Sequence, residues 1–416
     1  MVKNPVIVSA CVLAFLFYSG IAEPVSQHPF KTFACKSQIT KIQGFVSSNP
    51  VKTSLFGSSY RTFFRVDKTF TYSGKFEAKG EAEVFFPAEL VESYFPGKIY
   101  SGLSAQAGKG LLVENGAEFL LQVKPCFKDG GFVFLVSEGK SLGWYGGQIF
   151  KRILRFRALC RLQFKRLMYA WGNAGGFLLA LLSGSREYTE KSVSDSFRDS
   201  GLSHILALSG MHLGLFGAIA GFFGKKVSGR NIGDAIQLGA VCFFVWFAGI
   251  SPSLFRAFLA ALILYLNSLL RMNRPESLSL LSLCFIIHCL VFPSHIHEAA
   301  FMLSYSSLGG IIIFNRMFNK VYPVFIPHKI RLSLSQSSAA QLSTAPVAVR
   351  LFGKIMPQGI LAGLFVSPLV FLFLYFGLFG VIICLILPFL SVPISAIMNG
   401  LYFLIKRLVL FFSFKL

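Results

Sequence analysis

The sequence is short of acidic side chains: its 416 residues hold 18 Asp and Glu against 40 Lys and Arg. Charge of either sign is scarce, at 14% of residues, while 54% are apolar and the mean hydropathy is +0.63. That balance excludes an ordinary soluble domain, which rarely exceeds about 50% apolar residues. No Cys-x-x-Cys pair occurs among the 8 cysteines, which argues against a zinc ribbon. Five of them, Cys11, Cys242, Cys284, Cys289 and Cys384, lie in apolar segments where a thiol packs as a small hydrophobe. What remains in excess is positive charge. It suits a polyanion, either nucleic acid or anionic lipid, and it also suits the cytoplasmic loops of a bacterial membrane protein.

Composition divides the chain into four parts. Residues 1–22 contain the apolar run Val6–Ala22, a signal anchor or a signal peptide. Residues 23–148 read as a small β domain. Alternating runs recur at Ile42–Val46, Arg61–Val66, Ala82–Phe86, Phe119–Val123 and Phe132–Val136, separated by the turn signals Ser73-Gly74, Pro96-Gly97 and Asp129-Gly130-Gly131. Short strands at this spacing predict a barrel or sandwich. Cys35 and Cys126 bracket the polar region and form the one disulfide candidate, should that region be exported.

Residues 149–166 predict a basic amphipathic helix, with Ile153, Phe156, Cys160, Phe164 and Leu167 on one stripe. Lys151, Arg152, Arg155, Lys165 and Arg166 group opposite, as in a helix lying in the membrane interface or offering cations to lipid or DNA phosphates.

Residues 167–416 hold the long apolar segments: Leu167–Ser183, Leu202–Gly224, Ile232–Ile250, Ser253–Leu270, Leu278–Phe292, Ala299–Phe314, a weaker stretch near Ser337–Val349, Gly359–Phe379, Val381–Met398 and Leu401–Phe414. A helix needs about 20 apolar residues to cross a bilayer, which gives about eight to ten passes. The basic segments Lys225–Arg230, Arg271–Arg274 and Arg316–Arg331 belong on one side, the cytoplasmic one. With the β domain on the outer face, an odd number of crossings must separate it from Lys225. Two apolar segments lie between, so one of them is expected to be re-entrant or interfacial.

Within that stretch stands Ser200-Gly201-Leu202-Ser203-His204-Ile205-Leu206-Ala207-Leu208-Ser209-Gly210-Met211-His212-Leu213-Gly214-Leu215. It resembles the Gly-x-x-His-(x)4-Ser-Gly-x-His-x-Gly motif of the ComEC-type competence proteins. Further matches follow in the family's order. Gly249-Ile250-Ser251-Pro252-Ser253-Leu254-Phe255-Arg256-Ala257 resembles Gly-x-Ser-Pro-Ser-x-x-Arg-Ala, and Phe301-Met302-Leu303-Ser304-Tyr305 resembles Phe-Gln-Leu-Ser-Phe with Met302 for Gln. Gln341-Leu342-Ser343-Thr344-Ala345-Pro346 and Phe352-Gly353 match the later segment, although Gly363 stands where the family usually has Asn. The matches cover about residues 167–380.

The resemblance implies a channel, not an enzyme, that passes single-stranded DNA across the cytoplasmic (inner) membrane during natural transformation. The expected fold is a polytopic α-helical membrane protein with an N-terminal small all-β, OB-like soluble domain. Other competence proteins, such as a DNA receptor and a cytoplasmic ATPase or nuclease, are implied partners beside membrane lipids, and so is a homo-oligomer. The family's metallo-β-lactamase-like domain, with its His-x-His-x-Asp-His motif, has no counterpart. The single His-x-His, His295-Ile296-His297, is followed by Glu298-Ala299. Neither metal nor cofactor is expected.

A channel for DNA lowers the cost of moving phosphates with cations, polar side chains and helix termini aimed at the path. Candidate path residues are His204, Ser209, Gly210, His212, Ser251, Ser253, Arg256, Ser304 and Gln341. Arg256 is the leading cation: Ser251 caps its helix, Pro252 starts it, and the Arg lies about one turn inside. On an unbroken helix His204 and His212 lie roughly 80° apart and line one wall. Tyr60, Arg61, Phe63, Phe64 and Arg65 in the β domain read either as a stacking surface for single strands or as a plain half-buried strand. Two other classes stay open: a membrane-embedded enzyme using His204, His212 and Glu298 on a lipid-linked substrate, and a scaffold for uptake components that transports nothing.

Overall fold

The structure, a computed structural model, describes residues 4–19, 30–57, 59–92, 111–128, 131–185, 188–206 and 208–413. Pro96-Gly97 and Asp129-Gly130 lie outside the described residues. The chain forms two compact units: Ser26–Gly176 with Ser185–Tyr188, and Met1–Val25 with Phe177–Gly184 and Thr189–Leu416.

The first unit is built on strands β1 Lys31–Thr32, β2 Lys41–Val46, β3 Val51–Thr53, β4 Ser59–Thr71, β5 Gly74–Lys79, β6 Glu81–Pro87, β7 Ala117–Lys128 and β8 Gly131–Trp144. Five of them contain the five alternating runs of the sequence, and they close on themselves. Strand β4 pairs with β2, β2 with β7, β7 with β8, β8 with β6, and β6 returns to β4. All these pairings are antiparallel except β6–β8, which is parallel. With a short helix between β6 and β7, Ala88–Glu92, this is the connectivity of an OB-like barrel. Alternation fills the interior: Tyr60, Phe64 and Val66 of β4 join Val84, Phe86, Phe119, Leu121 and Phe134 in one core. A buried side chain of this size stabilises by about 1.5–3 kcal/mol over its exposed state. At the β2 bulge between Gln43 and Gly44, a methyl group on Gly44 would meet the Arg65 carbonyl, so only glycine lets β2 coil this closely on β4.

The second unit is helical. Numbered along the whole chain, the helices of the described residues are α1 Pro5–Tyr18, α2 Ala88–Glu92, α3 Gln148–Ala170, α4 Gly172–Ser183, α5 Lys191–Asp199, α6 Ser203–Leu206, α7 Gly210–Ala248, α8 Pro252–Leu269, α9 Ser277–Val291, α10 Ala299–Val321, α11 His328–Phe352, α12 Gly359–Ile386 and α13 Ser391–Ser413. Among the described residues three stretches are long and apolar enough to cross a membrane, Pro252–Leu269, Gly359–Ile386 and Pro388–Ser413; Pro5–Tyr18, Gly172–Ser183, Ile232–Ala248 and Ser277–Val291 are shorter apolar helices. The protein is a multi-pass membrane protein with an N-terminal β-strand domain outside the membrane.

Three expectations change. The C-terminal segments Gly359–Phe379, Val381–Met398 and Leu401–Phe414 are two helices, not three. Gly380 is buried inside α12, and the break comes at a 3-10 turn, Pro388–Leu390, where proline ends the backbone ladder. Segment Leu167–Ser183 is split at Trp171, because Gly172 takes φ +62° and starts a new helix. Segment Leu202–Gly224 is split as well, into α6 and α7.

Helix α7 doubles back on itself. In a straight helix eight residues cover about 12 Å, yet a methyl group on Gly233 would stand 2.7 Å from the Lys225 backbone nitrogen. Two antiparallel arms result, held close by a glycine stripe. Methyl groups on Gly217 and Gly221 would reach Val241 and Gln237 at 2.9 and 2.8 Å. Lys225 and Asp234 pair at 2.9 Å where the arms meet.

Side-chain contacts fix the direction of each helix. Asn4 donates to Ser279 Oγ at 2.9 Å, and Ala10, Leu13, Ala14 and Phe17 pack with Leu281, Cys284 and Phe285, so α1 runs parallel to α9. Ser268 donates to Asp234, which places the α7 turn beside the C-terminal end of α8. Tyr305 meets Cys284 and Gly309 meets Leu281, so α10 is antiparallel to α9. The turns after Lys225, after Leu269 and after Val321 therefore share one end of the bundle, the basic end, as does the start of α1. This agrees with placing all three basic segments on one side.

Helix α4 packs against the middle of two later helices. Phe177 packs on Phe373 and Tyr402, and Leu178 lies against Gly377, in the middle of α12 and α13. From there α5 leads back, and Gln358 donates to the Asp199 carbonyl at 3.0 Å, beyond the start of α12. At 12 residues, about 18 Å, α4 is a half-span. Phe177 to Leu181 are fully buried in protein, the condition under which a re-entrant segment survives.

Candidate functional site

The motif region is built around a helix restart. Ser209 sits extended at φ −120°, ψ 161° ahead of α7, and its backbone N–H donates to His212 Nδ1 at 3.1 Å. The Ser209 hydroxyl lies 3.3 Å from the same nitrogen. An Nδ1 that accepts leaves the neutral ring its proton on Nε2. That atom is buried without a protein partner, and His212 is 2% exposed. Gly210 follows because α8 comes in here: a methyl group would meet Ala257 Cβ at 2.9 Å and Arg256 Nη2 at 3.2 Å.

Helix α8 starts as its sequence predicts, with Ser251 at the N-cap and Pro252 at the first helical position, after a turn in which Gly249 holds φ +97°. The Ser251 hydroxyl makes no capping bond, and both it and Arg256 Nε are buried without a protein partner. Native structures leave few such atoms, and here three of them, on His212, Ser251 and Arg256, belong to the two motifs.

Arg256 and Gly210 mark one end of a cavity of about 1380 Å³. Its walls come from both arms of α7, from α8, α9 and α10, and are lined along α8 by the small residues Ala257, Ala260 and Ala261. From Arg256 to Asn267 the wall runs eleven residues, about 16 Å. At the basic end it is bordered by Lys225, Arg271 and Arg274. The only carboxylate among the described lining residues is Asp234, which pairs with Lys225.

Residues 181–415 match the family model described as Competence protein. The chain belongs to that family. Its relatives include ComE operon protein 3 of Bacillus subtilis (strain 168), 29% identical over 182 residues, 42% of this chain and 22% of that protein. An uncharacterized protein of Aquifex aeolicus (strain VF5) is 28% identical over 237 residues, 56% of this chain and 53% of that one. The chain thus spans from about a fifth to about half the length of these relatives. No solved structure matches.

The competence motifs do not all converge. His204 is exposed on the four-residue α6, and the break before Ser209 removes the shared helix on which it and His212 would line one wall. Gln341 belongs to a second cluster: its amide donates to the Met356 carbonyl, Met356 packs on Gly201, and its Oε1 is buried unpartnered. Ser253 reaches only the Ala300 carbonyl, at 3.5 Å, and Ser304 is buried on α10.

In the β unit Tyr60 and Phe64 are fully buried in the barrel core, while on the outward face Arg61 pairs with Glu83 and lies over the half-buried Phe63 ring, so this stretch is a half-buried strand. Helix α3 also corrects expectation. Lys165 is not on an open cationic face. It is buried with Arg161 against Glu114, at 3.5 and 3.1 Å. Burial works to raise the Glu114 carboxyl, but Arg161, Lys165 and Arg157 outweigh it and hold it below the usual range. Burial, then Arg161, bring Arg157 down to about 10. Lys151, Arg152 and Arg155 are exposed and Arg166 is half-buried, and the apolar residues Ile149, Phe150, Ile153 and Phe156 are exposed too. Cys35 and Cys126 are free thiols, and the Cys35 sulfur is engaged by Ser37 at 3.2 Å.

Sequence reasoning missed a polar chain beside the cavity. His288, 0% exposed, joins Tyr305 Oη through Nδ1 at 3.1 Å and His295 Nδ1 through Nε2 at 3.0 Å. Single histidines and tyrosines in apolar helices carry no periodic signal. The one available signal is Tyr305, which stands where the family pattern Phe-Gln-Leu-Ser-Phe ends in Phe.

Proposed function

We propose that this competence-family protein carries single-stranded DNA through the membrane along the cavity between α7, α8, α9 and α10. The observation that carries the reading is the lining: Arg256 at one end, Lys225, Arg271 and Arg274 at the other, a wall of alanines between, and one carboxylate that is already paired. Cations at both ends stabilise a phosphate backbone, and small side chains leave it room.

The chain leaves α1 at the end away from the basic turns, which supports a β domain on the outer face of the cytoplasmic membrane. The exposed apolar residues of α3, flanked by Lys151, Arg152 and Arg155, support an interfacial position for that helix.

Arg256→Gln is expected to lower import of labelled single strands about ten- to a hundredfold, the equivalent of one charged hydrogen bond, with the membrane level of the protein unchanged. Wild-type import by that variant would overturn the path. In a cysteine-free background, Ser141→Cys is expected to react with an impermeant thiol reagent in intact cells and Asn273→Cys only after lysis. The reverse pattern would overturn the orientation.

A further inference from the structure

The cavity stops at Arg256, about one turn inside α8, while a chain of hydrogen bonds begins at the loop on that side. We propose that His295, His288 and Tyr305 form a proton relay that connects this loop, opposite the basic end, to the cavity, so that the protein conducts protons.

The geometry sets the direction of every bond in the chain. Tyr305 Oη donates to the Cys284 carbonyl at 3.1 Å. Its oxygen is then the acceptor for His288 Nδ1–H, which makes His288 Nε2 an acceptor for His295 Nδ1–H. His295 Nε2 is left as the open acceptor, 3.9 Å from Glu298 Oε1, a carboxylate 48% exposed in the loop. Cys284 and Arg256 line the cavity, and Arg256 lies within electrostatic reach of Tyr305 and Cys284. The chain thus runs from an exposed acid to the backbone carbonyl of Cys284, a residue that lines the cavity, with no gap above 3.9 Å.

The transfer balances without any other reactant. His295 Nε2 takes a proton from solvent at Glu298 and passes its Nδ1 proton to His288 Nε2. His288 passes its Nδ1 proton to Tyr305 Oη, and the hydroxyl proton held at the Cys284 carbonyl leaves to water in the cavity. One proton enters at the loop and one is released beside Arg256, after which the rings and hydroxyl turn back. The groups facing His288 are Tyr305 from α10, Arg256 from α8, and His295 from the 3-10 turn Pro293–His297. Cys284 and Cys289 stand on its own helix, and Tyr18 of α1 lies near Cys289. Phe255, Phe292 and Phe301 pack on the ring and keep other water from it. Burying an imidazole this fully among phenylalanines is costly unless both nitrogens are bonded, and the relay bonds both.

That the protons accompany DNA rests on the proposed function; conduction itself does not. Full-length protein in liposomes with a trapped pH dye is given an acid step on the loop side, with valinomycin and potassium clamping the potential and a single-stranded oligonucleotide present. Wild type is expected to acidify the lumen severalfold faster than protein-free vesicles. His288→Phe, which suits the phenylalanine surroundings, and Tyr305→Phe, which removes one oxygen, are expected to fall to the protein-free rate while eluting as intact protein and binding the oligonucleotide as wild type does. A wild-type rate no faster than that of protein-free vesicles, or variants as fast as wild type, would overturn the relay. Oligonucleotide binding is read separately by anisotropy, and its failure in wild type would sink the DNA path and leave the relay standing.

Discussion

In the β unit cations meet carboxylates: Arg61 with Glu83, Lys52 with Glu92, Arg161 and Lys165 with Glu114. The cavity of the helical unit is different, although that unit also pairs Lys406 with Glu190 and Lys225 with Asp234. After Asp199 the sequence offers only Asp234, Glu276 and Glu298, and Arg256, Arg271 and Arg274 stand around the cavity with no ion pair among the described residues. In the barrel, charge solves a folding problem, because three buried cations must be compensated for α3 to pack. Around the cavity three arginines meet no carboxylate among the described residues, and a charge that no ion pair uses is available to a ligand.

The sharpest way to break this contrast is Glu114→Gln. Stripping a buried carboxylate from its cations costs about 3–5 kcal/mol, so the barrel is expected to lose protease resistance in the full-length protein. Arg256→Gln is expected to leave that resistance unchanged. If both changes unfold the protein equally, the contrast fails. Acid tests the same pair. The Glu114 carboxyl is depressed in the folded state, so its contribution is complete above the unfolded carboxylate range near 4.3 and is lost as pH falls through the lower folded value. Acid unfolding followed by near-ultraviolet circular dichroism is expected to shift in wild type and to flatten in Glu114→Gln.

Gly217→Val probes the bundle's packing without touching charge. It forces a side chain into Val241 and is expected to cost about 1–3 kcal/mol, read as a lower unfolding temperature in detergent. Arg271→Gln and Arg274→Gln, at the exposed end of the cavity, are expected to have the smallest effect. Each flattens the salt dependence of oligonucleotide binding by about 0.7 in log–log slope, the value for one single-strand phosphate contact. An unchanged slope would remove these two from the path.

The barrel was legible because burial there has a period of two. The five alternating runs are the five strands that close, and only the short edge strands β1, β3 and β5 escaped notice. The helical unit was legible where local chemistry speaks, as in Ser251-Pro252 starting α8 or the basic turn dividing α7. It was illegible where tertiary contact decides. Ser209-Gly210 permits the break that parts His204 from His212 without requiring it, since the apolar run continues on both sides, and Lys165 looked exposed because its partner, Glu114, is about fifty residues away in sequence. His288 drew no attention because both of its hydrogen-bond partners come from other elements.

The glycine stripe of α7 bears on how the protein is made. Its first arm offers Gly210, Gly214, Gly217, Gly221 and Gly224 where a solitary spanning helix would offer bulk, so it gains little from lipid and much from the returning arm. The two arms are therefore expected to enter the bilayer as one piece during synthesis. Lys225 and Lys226 at the turn are expected to stay on the side of the ribosome, with the later helices added against the hairpin.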